Sequence, residues 1–227
     1  MGHFTRREVI GICTLIAAGY PMSKIFASDQ KSILGGYPVT AEILKEAYIA
    51  ELTAHEHYNG YCLKAIEEDY PNLAYFFRAF SISEKVHAEN YKRILASLGT
   101  ETGNSEIRTV ILDTKKNVQI ASKNELRKIN DIYPEFIKRL KIESYDQAVI
   151  SCMYSLRSHQ QHIVAINDMH KYSRYFFSLV AKEIEGMELD FHVCDVCGST
   201  LLEAPQGPCE ICNNSQRHYQ NIKRPVR

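Results

Sequence analysis

Apolar residues recur at three- and four-residue steps along most of the chain, and turn-forming residues cut that pattern into four long segments. In the first, residues 41–69, Ile43, Leu44, Ala47, Ala50, Ala54, Tyr58 and Tyr61 mark one face of a helix. Glu51 lies on that same face, and a carboxylate among apolar side chains requires a partner. Tyr70-Pro71 closes the segment. Residues 31–40, with Gly35, Gly36 and Pro38, read as an extended lead-in.

The second segment, residues 72–98, carries Leu73, Phe76, Phe77, Phe80, Val86, Tyr91 and Leu95 on its apolar face and stops at Gly99. Glu84 and His87 sit on it three residues apart, which places them on one side of a helix. Residues 99–112 read as a loop with a β-like piece over 108–112, long enough to cross the end of a bundle. The third helix starts at Asp113 or Thr114, either of which can cap it, and Pro134 predicts a kink. Glu125 and Lys128 repeat the three-residue spacing there. The fourth opens with Ser144-Tyr145-Asp146-Gln147, which reads as a capping box, and runs through Ala148, Cys152, Leu156, His159 and His162. Residues 163–188 continue largely helical to a break at Gly186.

The C-terminal stretch departs from this pattern. Cys194-Asp195-Val196-Cys197 and Cys209-Glu210-Ile211-Cys212 stand eleven residues apart across a Gly- and Pro-rich loop. Two facing turns of this kind present four thiolates tetrahedrally, which suits iron or zinc, and the spacing favours a metal over disulfides. Cys62 and Cys152 have no motif spacing and read as buried apolar residues. With 27 basic and 27 acidic residues and no basic block, nothing points to a nucleic-acid partner.

The N-terminus is distinct again. Arg6-Arg7 precedes an uncharged run from 9 to 20, then Ile25-Phe26-Ala27 before Ser28. The run is too short to span a bilayer comfortably, and the order of parts fits a twin-arginine-like export signal over 1–27, hence a periplasmic location. An amphipathic N-terminal helix is the alternative. Cys13 lies within the run without lipoprotein context.

Four helices each bring metal-binding side chains to an apolar face: Glu51, Glu84 with His87, Glu125 with Lys128, and His159 with His162. Four-helix bundles build two-metal carboxylate centres from single Glu residues and Glu-x-x-His pairs. Together with the cysteines, the stretches 47–54, 84–88, 113–117, 133–136 and 191–198, in this order, resemble the rubrerythrin family over about residues 40–220. The resemblance implies an all-α ferritin-like four-helix bundle over 31–188 and a small C-terminal rubredoxin-like metal domain over 191–227. It implies iron on Cys194, Cys197, Cys209 and Cys212, and a di-iron or single-iron bundle centre on Glu51, Glu84, His87, Glu125, His159 and His162. Catalysis would fall to Glu51, Glu84, His87 and Glu125.

Two positions depart from the family pattern, which has glutamate where this chain has Lys128 and His159. Histidine remains an iron ligand. An ammonium about 4 Å from another positive charge costs roughly 4 kcal/mol even at an effective dielectric near 20, so Lys128 must swing away, lose its proton or displace a metal. The expectation is displacement or weak occupancy of the iron nearest Glu125; a solvent-facing Lys128, with the helix register shifted, is the alternative.

The resemblance further implies an oxidoreductase that reduces hydrogen peroxide with electrons from an unidentified donor protein. It also implies a homodimer in which one chain's four-sulfur iron lies near the other's bundle. The competing readings are an electron carrier with a defective bundle site and a ferroxidase or iron-handling protein. The export reading makes its own prediction: changing Arg6 and Arg7 together to Lys leaves the protein in the cytoplasm, scored by cell fractionation.

Overall fold

The structure, a computed structural model, describes residues 36–103 and 106–226, with backbone alone for 165–176, 179 and 180. The expected export signal, Cys13 and residues 31–35 lie outside the described residues. Among the described residues the chain forms five α-helices and a small sheet. Helix α1 is Pro38–Glu67, α2 Pro71–Ser97, α3 Thr114–Arg127, α4 Tyr133–Leu140 and α5 Asp146–Glu185. A π-helical turn, Lys128–Ile132, joins α3 to α4, so the two act as one bent helix of a four-helix bundle.

The lead-in is shorter than its glycines suggest. Helix α1 begins at Pro38, whose fixed φ and missing N–H suit a first helical position. No strand forms over residues 108–112. The expected kink at Pro134 takes the form of the π turn before it, where Tyr133 N–H reaches back to Lys128 O rather than to the carbonyl four residues earlier.

Capping is largely non-local. Asp113 caps α3 as its spacing implies, accepting from Lys116 N at 2.9 Å. The capping box at 144–147 does not form: Tyr145 is the cap residue and its side chain makes no capping bond, and Ser144 adopts a positive φ of 54°. Instead, carboxylates from distant elements satisfy helix starts. Glu143 accepts from Val39 N and Thr40 N at the start of α1, and Glu185 from Asn72 N and Leu73 N at the start of α2. Glu68 accepts from Thr114 N at the start of α3. Each places an anion on orphan amides at the positive end of a helix.

Two apolar clusters fill the bundle. One, with Ile43, Leu44, Leu95, Phe136 and Leu140, packs the end near the start of α1. The other, with Leu73, Phe76, Phe77 and Phe80, continues into the C-terminal domain through Phe191, Val193 and Ile222. That domain is a three-stranded antiparallel sheet, β1 His192–Cys194, β2 Thr200–Leu201 and β3 Tyr219–Asn221, in the order β2-β1-β3. Phe191 is the wedge that docks it on α2: its ring meets Tyr75 and Phe76 edge-on at 4.9 and 4.8 Å. Tyr75 Oη accepts from Phe191 N and donates to Ile222 O.

Phe191 is fully buried, so Phe191→Ala removes a large side chain and leaves a cavity between the two layers. The expected loss is about 3–5 kcal/mol in unfolding free energy, measured by urea titration.

Candidate metal centre

The four cysteine sulfurs form a closed, buried group. Cys194 and Cys212 Sγ lie 3.8 Å apart, Cys197 and Cys209 Sγ 3.5 Å. A tetrahedral ion with thiolates at about 2.3 Å separates them by about 3.8 Å, so the group fits one iron or zinc. The turns are set by the sheet: Cys194 N donates to Ser199 O, Gly198 N to Cys194 O, and Asn213 N to Cys209 O. Gly198, at φ +78°, completes the first turn in a conformation that favours glycine.

In the bundle, Glu51 comes from α1, Glu84 and His87 from α2, Glu125 from α3, and His159 and His162 from α5. All six are completely buried. Their ligand atoms form two adjacent groups, Glu51–Glu84–His87–His159 and Glu84–Glu125–His159–His162, which share Glu84 and His159. Every side chain proposed from sequence as a bundle ligand therefore meets the others at one centre.

Lys128 belongs to the same centre and does not face solvent. Its Nζ lies 2.5 Å from Glu51 Oε2 and 3.4 Å from Glu84 Oε1. The expectation that it would disturb the Glu125 side is corrected: the ammonium sits on the Glu51 side. The π turn brings Tyr133 to the same carboxylate. Residues five apart point to different faces of an α-helix but stack across a π turn. Lys128 and Tyr133 thus both reach Glu51, with Tyr133 Oη donating to Oε1 and Lys128 to Oε2.

Protons and charges balance within the group. Burial pushes Glu51 and Glu125 up, but Lys128 and His159 together outweigh it and hold both carboxylates well below their ordinary range. Burial keeps Glu84 well above that range, against the pull of Lys128 and aided by Glu51 and Glu125. Burial, with His159 nearby, keeps His87 neutral. Against burial and Lys128, Glu125 and Glu51 draw His159 upward. Its Nδ1 donates to Glu125 Oε2 at 2.8 Å and its Nε2 to Glu51 Oε1 at 3.1 Å. Two carboxylates thus face an ammonium and an imidazolium, while Glu84 carries its proton toward His87 Nδ1 at 3.0 Å.

The two centres touch within one chain. His87 Nε2 lies 3.1 Å from Cys197 O, which can only accept, so Nε2 carries the proton and Nδ1 its lone pair. Ser83 and Ser158 donate to Gly198 O at 2.7 and 2.8 Å. A Cβ on Gly198 would collide with the His87 ring and lie 2.9 Å from Ser83 Oγ.

The rubrerythrin family model matches residues 42–163, more than half of the chain. The chain belongs to the rubrerythrin family. It is 27% identical over 187 residues to Rubrerythrin-2 of Clostridium acetobutylicum, covering 80% of this chain and 96% of that one. It is 25% identical over 190 residues to nigerythrin of Nitratidesulfovibrio vulgaris, covering 82% and 86% respectively. Fully reduced, all-ferrous nigerythrin superposes with a TM-score of 0.69 at 21% identity, over 91% of this chain and 98% of that one. Bacterioferritin of Desulfovibrio desulfuricans shares the bundle alone, with a TM-score of 0.59 at 21% identity, over 65% of this chain and 87% of that one. This member of a non-haem iron family therefore has the ferritin-like bundle, the rubredoxin-like domain and side chains for iron in both.

Sequence reasoning left Tyr58, Tyr91, Ser83, Ser158 and Thr200 without roles. Tyr58 donates to Glu125 Oε1 at 2.5 Å and lies seven residues after Glu51, two helical turns along the same face, which is a legible signal. Tyr91 Oη donates to Ser155 Oγ at 2.6 Å and lies 3.1 Å from Tyr133 Oη, and nothing in the sequence marks that contact.

With its bundle metal stripped and the four-sulfur site filled, Lys128→Met leaves Glu51 buried without its ammonium. The expected cost at pH 7 is about 3–5 kcal/mol, against nearly nothing for a surface lysine. Because pairing depresses Glu51, its stabilisation is fully present above the unfolded carboxylate value, about 4.3, and fades as pH falls through the lower folded value. Urea titrations of both proteins should thus differ most at neutral pH and converge in acid.

Proposed function

We propose that this protein reduces hydrogen peroxide to water at the bundle centre, with electrons delivered singly through the four-sulfur iron. The observation that carries the reading is the His87 Nε2–Cys197 O hydrogen bond. It links a cysteine of the four-sulfur group to a side chain of the bundle group within one buried junction. Converting one peroxide to two waters consumes two electrons and two protons.

The residues define the parts. Cys194, Cys197, Cys209 and Cys212 would hold the electron-relay iron, and the bundle carboxylates and imidazoles would hold iron that supplies redox chemistry at peroxide. Tyr58 and Tyr133 hold protons at Glu125 and Glu51, and Phe80, stacked on His162 at 4.2 Å, helps to exclude water. The homodimer stays part of the proposal, but the junction does not require it, because this chain's own Cys197 reaches its own His87. The twin-arginine-like signal supports a periplasmic setting, with iron inserted before export while the thiols are reduced.

Lys128 favours a second reading, electron transfer without peroxide turnover, because it puts a cation where a family ligand would be. Stopped-flow mixing separates the two. Chemically reduced protein should regain the visible absorption of the oxidised four-sulfur iron as peroxide disappears, at two electrons per peroxide. Gly198→Ala should keep that absorption band and slow its return at least about tenfold. Reoxidation without stoichiometric peroxide loss would leave the carrier reading.

A further inference from the structure

The two groups of bundle ligand atoms are unequal. On the Glu51 side a cation is already in place: Lys128 Nζ is 2.5 Å from Oε2, and Tyr133 occupies Oε1. An ion could bind Glu51 there only by expelling the ammonium. On the other side, Glu84 Oε1, which the ammonium approaches only to 3.4 Å, lies 3.6 Å from His159 Nδ1 and 3.7 Å from His162 Nδ1. Glu125 Oε2 lies 2.8 and 3.6 Å from the same two nitrogens. Ligands about 2.1 Å from one ion stand roughly 3.0–3.4 Å apart, so this group closes on a single ion once His159 Nδ1 releases the proton it gives to Glu125 and Glu84 releases its own, with His159 Nε2 still donating to Glu51.

His162 supplies an independent sign. Thr200 Oγ1 donates to Gly198 O and lies 3.2 Å from His162 Nε2, so it accepts the Nε2 proton. Nδ1 is left with a lone pair, buried and without a hydrogen-bond partner among the described residues. That lone pair faces two carboxylate oxygens, and a bound cation relieves the arrangement.

We propose that the bundle holds one divalent first-row metal ion on Glu84, Glu125, His159 and His162, and that the Lys128 ammonium stands where a second ion would otherwise sit. The inference rests on reading the bundle as a metal centre and not on peroxide chemistry. It makes the two histidines that face the C-terminal domain inequivalent. His162 is a ligand, whereas His87 is engaged between Glu84 and Cys197 and is dispensable for holding the ion.

The test uses the full chain, stripped by chelator and titrated anaerobically with ferrous iron. Total iron is counted by elemental analysis, and the four-sulfur iron is counted separately from its absorption. The unmodified protein should take two irons per chain, one in each domain. His162→Ala should retain the four-sulfur iron and bind the bundle iron at least about 100-fold more weakly. His87→Ala should still take two, and Lys128→Glu should take three. Three irons in the unmodified protein, or one, would overturn the proposal, as would equal losses, or no loss, in the two histidine variants. Should Lys128→Glu fail to fold, the unmodified count and the histidine pair still decide. A protein inert toward peroxide would leave every one of these counts unchanged.

Discussion

The arrangement depends on how the bundle balances three carboxylates buried among apolar side chains. Glu51, Glu84 and Glu125 are all withdrawn from water, and isolated charges in such a place are untenable. This chain balances them from its own side chains: Lys128 on Glu51, His159 between Glu51 and Glu125, and a proton on Glu84.

That balance shapes what lies around it. The π turn is needed to bring both Lys128 and Tyr133 onto Glu51, and it bends the third bundle helix. With Glu84 protonated, His87 keeps Nδ1 toward it and is free to donate from Nε2 to Cys197. The four-sulfur domain then docks where Gly198 can approach the helices without a side chain, with Phe191 anchoring its far edge. Electrostatics in the bundle and placement of the four-sulfur domain are thus coupled through one imidazole.

Much of this was legible in the sequence, for physical reasons. Glu51, Glu84, Glu125, His159 and His162 declared themselves as polar residues on apolar helix faces, and helical periodicity alone brings such residues to a common axis. The paired cysteines declared a metal through spacing. What stayed hidden was non-local. Glu143, Glu185 and Glu68 cap helices more than forty residues away, which no local pattern shows; the glycines before Pro38 hid the start of α1, and 144–147 was credited with a box that it does not form. Lys128 was expected beside Glu125 from their three-residue spacing, whereas its side chain reaches Glu51 on α1 and Glu84 on α2, contacts between helices that spacing along one helix does not show. The export signal and the dimer rest on the sequence and the family resemblance.

The most direct measurement is iron-edge anomalous diffraction from crystals of the iron-loaded protein. Two peaks per chain are expected, one among the four cysteine sulfurs and one among Glu84, Glu125, His159 and His162, with Lys128 still on Glu51. A third peak between Glu51 and His87, with Lys128 turned away, would contradict it.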